Sequence, residues 1–299
     1  MPLAPPTTLS PSKVSSFKEC ALAFRYSAID RLPEVASPHA AKGTLVHRAL
    51  QLLMWEEAAG HRSLPVALEK LARAREDVLG RPEYEDLDFG DETEAEFLAD
   101  AEQLVRNYFM LEDPDSVLVI GTELRLTVHL GSLTVRGIID RLELDADGEL
   151  VVTDYKTGRA PGESYEQPRL GGVHFYAFLC EEMLGRRPAR VQLLHLREPL
   201  AISTVPSEQS IRGLRQQTDA VWAAIELACE REDFRPKPGR LCRSCSFRPY
   251  CPAVGGDPSL AAAVAVAEAK AVADGTGPAA GAATDKARRS PAVPAPAGV

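Results

Sequence analysis

Between residues 117 and 157 the hydrophobic pattern of the chain changes from helical spacing to short apolar or alternating runs. Residues 117–120, 124–130, 134–144 and 149–154 read as successive strands, with Gly131-Ser132 and residues 145–148 as tight turns between them. Two of these runs deliver an acid near one end: Gly137-Ile138-Ile139-Asp140-Arg141 and Val151-Val152-Thr153-Asp154-Tyr155-Lys156-Thr157-Gly158. Adjacent antiparallel strands bring Asp140 and Asp154 side by side, and two close carboxylates repel one another unless a cation bridges them. Oxygen ligands of this kind suit Mg²⁺ or Mn²⁺. Strand alternation puts Lys156 on the same face as Asp154. A metal and an ammonium group converging on one point suit an attacking water and a phosphodiester whose charge rises in the transition state. The competing reading is a pair of ordinary strand-end ion pairs, Asp140 with Arg141 and Asp154 with Lys156. The apolar runs leading into both acids favour the metal.

The rest of the chain frames this sheet. Residues 1–16 read as an extended Pro/Ser/Thr-rich arm, with Ser15-Ser16 capping a short helix that carries Phe17, Cys20, Phe24 and Tyr26. Residues 41–59 form an amphipathic helix with His47 at the margin of its apolar stripe, and residues 64–79 and 91–112 are further helices. After the strands come a helix over 168–184, a strand over 189–197, a short strand over 202–205 and a long helix over 207–231. This order predicts an α/β mixed sheet with helices on its faces. The segments are an N-terminal piece (1–30), a helical region (31–115), the core (116–234), a cysteine-rich loop (235–256) and a tail (257–299). Sixteen of the 43 tail residues are alanine, and the tail is expected to be disordered beyond a weak helix over 258–273.

Charge is unevenly placed. The net charge is −9, and residues 81–102 alone hold ten acids against Arg81, so the remainder sums to zero. Such a run reads as a solvated face. Residues 235–251 carry Arg235, Lys237, Arg240, Arg243 and Arg248 with no acid, a local patch suited to phosphates despite the negative total. No apolar run reaches membrane-spanning length and no secretory pattern opens the sequence, so a cytoplasmic protein without membrane association is expected.

Of six cysteines, Cys180 and Cys229 sit in apolar helical patterns and read as buried thiols. Cys242, Cys245 and Cys251 fall within ten residues in a Pro/Gly-rich loop, and Cys20 stands far upstream. Thiolates so close in sequence need a cation to share a site, and four such ligands could take Zn²⁺ or a [4Fe–4S] cluster.

The pattern Gly-Ile-Ile-Asp140-Arg followed by Asp154-Tyr-Lys156-Thr-Gly resembles the PD-(D/E)XK nuclease superfamily, and more narrowly its RecB-family exonucleases. That resemblance implies a restriction-endonuclease-like core with a helical insertion. Gly43-Thr44-Leu45-Val46-His47 matches the family's Gly-x-x-x-His setting. By resemblance His47, Asp140, Asp154 and the Tyr155 carbonyl would hold the metal, and Lys156 would orient the water. Tyr176 fits the tyrosine of the family's Gln-x-x-x-Tyr motif. Gly172 stands where the glutamine belongs, and Gln167 is out of register. Glu123 resembles an acidic position of relatives and reads as a supporting or structural residue. One cysteine before the core and three after it resemble the iron–sulfur subset, in which a [4Fe–4S] cluster on Cys20, Cys242, Cys245 and Cys251 staples the termini together.

The activity so implied is metal-dependent exonuclease hydrolysis of DNA, single-stranded or with free ends, in recombination or repair. Arg240, Arg243 and Arg248 would line the DNA path. No Gly-x-x-x-x-Gly-Lys-Ser/Thr loop is present, so a helicase would come from a partner chain. The alternatives are a non-catalytic DNA-binding scaffold of the same fold and an interaction protein acting through residues 81–102.

Overall fold

Two tight turns set the sheet. Gly131 (φ 60°) closes strand β1 (Leu118–Leu130) onto β2 (Leu133–Leu144), and Gly148 (φ 76°) helps return the chain into β3 (Leu150–Lys156). Both glycines hold left-handed backbone that other residues adopt at a cost. The structure, a computed structural model, describes residues 3–160 and 166–273, without the side chains of 166–173 and 267–273. A helix, α6 (Glu166–Leu184), carries the chain from β3 to β4 (Arg190–His195), which pairs parallel to β3, and β5 (Leu200–Thr204) closes the far edge antiparallel. The order is β1-β2-β3-β4-β5. The expected mixed α/β sheet is therefore present.

Before the sheet come α1 (Pro11–Glu19), a short α2 (Ala21–Phe24) running into a π-turn, α3 (Pro38–Glu56), α4 (Leu64–Leu79) and α5 (Glu94–Tyr108). After it come α7 (Glu208–Arg231) and α8 (Pro258–Ala273). Helices cover the two sheet faces separately. On one, α6 and α7 pack Phe175, Phe178, Leu179 and Ile225 onto Leu126, Val135, Ile139 and Val152. On the other, α3 and α5 pack Leu45, Leu53, Phe97 and Leu104 with Tyr155, Leu194 and Leu196.

Three expectations change. The N-terminal arm is helical from Pro11, because Ser10, not Ser15 or Ser16, caps the helix and proline occupies its first turn. Cys20 then sits at the junction of α1 and α2. The runs 117–120 and 124–130 are one strand, which keeps its pairing across them by a register shift between Val119 and Gly121. The helix read over 91–112 starts only at Glu94, where Thr93 and Glu96 form a reciprocal capping box. Of the tail, 274–299 lies outside the described residues. Among the described residues no helix is long and apolar enough to cross a membrane.

Candidate active site

The β2–β3 register pairs Arg141 with Thr153, which sets Asp140 and Asp154 opposite one another where the ladder ends. The Tyr155 N–H then donates to Asp140 Oδ2 at 2.8 Å, tying the two strands beyond that end. On β1, Glu123 lies between Thr122 and Leu124, whose partners are Arg141 and Ile139, so it faces Asp140. Its backbone is left-handed (φ 49°), a strained setting for a glutamate. From above, α3 brings His47, whose Nδ1 is 3.4 Å from Asp140 Oδ2.

One ligand atom each from His47, Glu123 and Asp140 lie within 4.8 Å of one another. Imidazole plus two carboxylates is a donor set that fits Mn²⁺ or Mg²⁺. Asp154 stands just outside this trio, in an ion pair with Lys156, and burial together with the charges of Asp154 and Asp140 raises the hydroxyl of Tyr176 on α6. Of the sequence-expected residues, His47, Asp140, Asp154, Tyr155, Lys156 and Tyr176 thus meet at one end of the sheet. Glu123, read as supporting, has its carboxylate among the candidate ligands. Its sequence signal was an acid two residues beyond Gly121 on the first strand, opposite Asp140.

The electrostatics describe a pocket crowded with negative charge. Burial pushes the Glu123 carboxyl up, and the neighbouring Asp140 adds to this, to about 7. Burial and Asp140 likewise raise Asp154. Burial opposes charge on His47, but Asp140, Glu123 and Asp154 outweigh it and raise the ring to about 9. Asp140 itself is held below its usual range despite burial, because His47, the Tyr155 N–H and Lys156 all favour its anion. A proton on His47 does in this arrangement what a divalent cation would do better: it neutralises facing acids.

The site is braced from behind. Tyr155 turns its ring edge toward His47, with centroids 5.8 Å apart. Its hydroxyl accepts from Arg141 Nη1 at 2.9 Å. Arg141 has no exposed surface and is clamped by Glu112 (Nη2 to Oε2, 2.9 Å), Glu143, Thr153 and the Tyr108 hydroxyl. The expected alternative of an Asp140–Arg141 ion pair is therefore not what forms: Arg141 serves the buried acids behind the sheet. Two glycines permit the approach of the helices. A Cβ on Gly137 would stand 2.5 Å from Leu179 Cδ1 and 3.4 Å from the Tyr176 ring, and one on Gly43 would stand 3.1 Å from Thr157 Oγ1.

The cysteines lie elsewhere. The loop 235–256 folds against the N-terminal segment: Tyr26 donates to the Tyr250 carbonyl at 3.0 Å, and its ring packs on Phe247. Backbone N–H groups of Lys237 and Gly239 point at Cys20 Sγ (3.5 Å) and Cys242 Sγ (3.3 Å). Burial raises the Cys245 thiol, and Cys20, Cys242 and Cys251 act on it electrostatically. Among the described residues no three thiols come within 4.8 Å of one another. Cys180 and Cys229 are buried, as expected. Arg240, Arg243 and Arg248 are exposed around this loop, away from the strand-end acids in the chain. The side chains of Gln167 and Gly172 are outside the described residues.

Residues 8–252 match the profile of the PD-(D/E)XK nuclease superfamily. No curated protein matches the chain. Among solved structures it is similar to one described as SSO0001, at 11% identity and a TM-score of 0.40 over 83% of this chain and 86% of that one. It is also similar to one described as a "putative exonuclease" from Eubacterium rectale, at 12% identity and a TM-score of 0.49 over 80% and 87%. With most of its length inside the matched profile, the chain belongs to the PD-(D/E)XK nuclease superfamily.

Proposed function

We propose that the protein is a metal-dependent exonuclease that hydrolyses phosphodiester bonds of DNA, in the cytoplasm and in the service of recombination or repair. The observation that carries this reading is the His47–Glu123–Asp140 trio beside the Asp154–Lys156 pair. His47, Asp140 and Asp154 hold the metal in this reading, with the Tyr155 carbonyl, and Glu123 joins them. A divalent ion bound there would polarise the phosphoryl oxygen and acidify a water. Lys156, whose side chain is 44% exposed, is placed to orient that water and to face the charge that grows on the phosphate. Tyr176, whose hydroxyl feels the charges of Asp154 and Asp140, stays protonated and is available to donate toward the pocket. Arg240, Arg243 and Arg248 contact the DNA backbone, and a helicase or repair partner supplies unwound strands. The test is incubation of end-labelled single- and double-stranded DNA with Mn²⁺ or Mg²⁺. Wild type should shorten the DNA from an end, and Asp154→Ala and Lys156→Ala should not. Equal loss of label in all three would leave the non-catalytic scaffold as the reading to adopt.

The same proposal places a [4Fe–4S] cluster on Cys20, Cys242, Cys245 and Cys251. Two sulfurs accept backbone N–H bonds, and Cys20, Cys242 and Cys251 act electrostatically on Cys245. Protein purified without oxygen should be brown and contain iron. Stoichiometric zinc without iron would refute the cluster.

A further inference from the structure

The β1–β2 hairpin runs on well past the metal pocket, and its two faces differ. One buries Leu126, Val128, Leu133 and Val135 in the core shared with α6 and α7. The other begins with Glu123 and Asp140 and continues, strand pair by strand pair, through Arg125 opposite Ile138 and Thr127 opposite Arg136. The helices on this side take only Val119 of the two strands into their core, so beyond the pocket the face stays open. Arg136 is exposed and Arg125 half-buried. Arg136 lies four steps before Asp140, about 14 Å along a strand at 3.4 Å per residue.

The N-terminal segment adds cations at this end. Leu9 bridges to Val135, donating to the Thr134 carbonyl and accepting from the Arg136 N–H, both at 2.9 Å. That contact sets the start of α1 beside the hairpin. Lys13 is anchored there, with Nζ donating to the Thr8 carbonyl at 2.9 Å and to Thr8 Oγ1 at 3.3 Å. The charges that act on Lys13 are Arg31 and Arg136, both cations, and with burial they lower its pKa. Arg31 keeps a left-handed backbone (φ 53°), a conformation that side chains other than glycine, asparagine and aspartate seldom adopt. Among the described residues Arg31 and Arg136 take part in no ion pair. The Leu9–Val135 bridge thus brings the start of α1, with Lys13, to the strand that carries Arg136, and Arg31 acts on Lys13 with the same sign. A local patch of one sign attracts the opposite charge of a phosphate backbone.

We infer that Lys13, Arg31 and Arg136 form a phosphate-binding track on the open hairpin face, which holds a single DNA strand on one side of the phosphate being cleaved. The inference rests on the DNA-nuclease reading and assigns the strand a direction across the protein, from the metal pocket toward the hairpin tip. It adds a contact region distinct from the arginines of the cysteine loop.

The experiment is fluorescence anisotropy on the full chain, with labelled 4- and 12-nucleotide single strands in Ca²⁺ across a salt series. The proteins compared are wild type, Arg31→Gln/Arg136→Gln and Arg186→Gln, the last removing a cation near the β2–β3 turn. Two lost phosphate contacts should reduce the slope of log K against log salt by about 1.4, and affinity for the 12-mer should fall on the order of tenfold. The 4-mer should be affected less, and Arg186→Gln should keep the wild-type slope. An unchanged slope in the double variant, with wild type binding and degrading DNA, overturns the track and leaves the nuclease reading standing. Wild type that binds no DNA at any length overturns both.

Discussion

The Tyr155 amide donates to Asp140 Oδ2 at 2.8 Å, so the residue that follows one acid of the pair holds the carboxylate of the other. The relationship ties the geometry of the pocket to the β2–β3 register and not to side-chain packing alone. Conservative changes of the acids should therefore leave the fold intact. Asp140→Asn and Lys156→Ala are each expected to lower DNA cleavage by on the order of 10²–10³-fold, the scale of losing one positioned electrostatic group. Circular dichroism and melting should be near wild type.

The metal-free pocket holds protons that a cation must displace. Glu123 is raised to about 7 and His47 to about 9. Mn²⁺ affinity should rise as pH increases from 6 to 9, with protons released on binding. Calorimetry in buffers of different ionisation enthalpy measures that release. Affinity independent of pH over this range would contradict the ligand assignment.

The same two shifts fix how stability varies. A folded pKa above the unfolded one means that the folded state binds more protons, so the stabilisation is full below the unfolded value and is lost as pH climbs through the folded one. For Glu123 that window runs from 4.5 to about 7, and for His47 from 6.5 to about 9. The metal-free protein should melt at progressively lower temperature from pH 5 to pH 9. Added Mn²⁺ should raise the melting temperature most at the alkaline end, read by differential scanning calorimetry.

Arg141 offers a different test, because it lies wholly inside. Arg141→Ala would leave Glu112 and Glu143 without their cation and should destabilise the protein by about 3–5 kcal/mol in urea unfolding. Tyr155→Phe removes one hydrogen bond and should cost about 1 kcal/mol. Because phenylalanine keeps the ring that stands against His47, Mn²⁺ affinity should stay close to wild type.

Gly137→Ala probes the fit of α6 on β2. Its Cβ would meet Leu179 Cδ1 at 2.5 Å, closer than carbon atoms pack, and must displace that side chain. Overpacking of this kind costs about 1–3 kcal/mol. The shift should carry Tyr176 away from Asp154, lowering the rate of cleavage while leaving DNA affinity close to wild type.

Much of this was legible in the residues. The turns at Gly131 and Gly148 and the strand period set the order β1 to β3, and strand alternation put Lys156 beside Asp154. Helix starts were misread where a cap was chosen by residue type alone: Ser10, Ser15 and Ser16 are equally good caps, and Pro11 decides between them. Glu123 was underrated because its role depends on a register shift and a left-handed backbone, neither of which has a local signature. Arg141 looked like a partner for the acid beside it. What turned it away was a pair of carboxylates, the buried Glu143 and the half-buried Glu112, the latter brought by the segment after α5. The basic track was invisible for the same reason: Lys13, Arg31 and Arg136 are scattered in sequence, and Lys13 comes to the strand of Arg136 only because Leu9 pairs with Val135.

The contact of Tyr26 with Tyr250 and Phe247 couples the beginning of the chain to a part made late in synthesis. Every residue of the metal pocket leaves the ribosome well before Tyr250 does. Because domains tend to organise as they emerge, the pocket can assemble on a nascent chain whose opening segment still waits for its counterpart. The sheet can hold Leu9 early, through Val135, while Tyr26 gains its last partners only when residues 247–250 emerge.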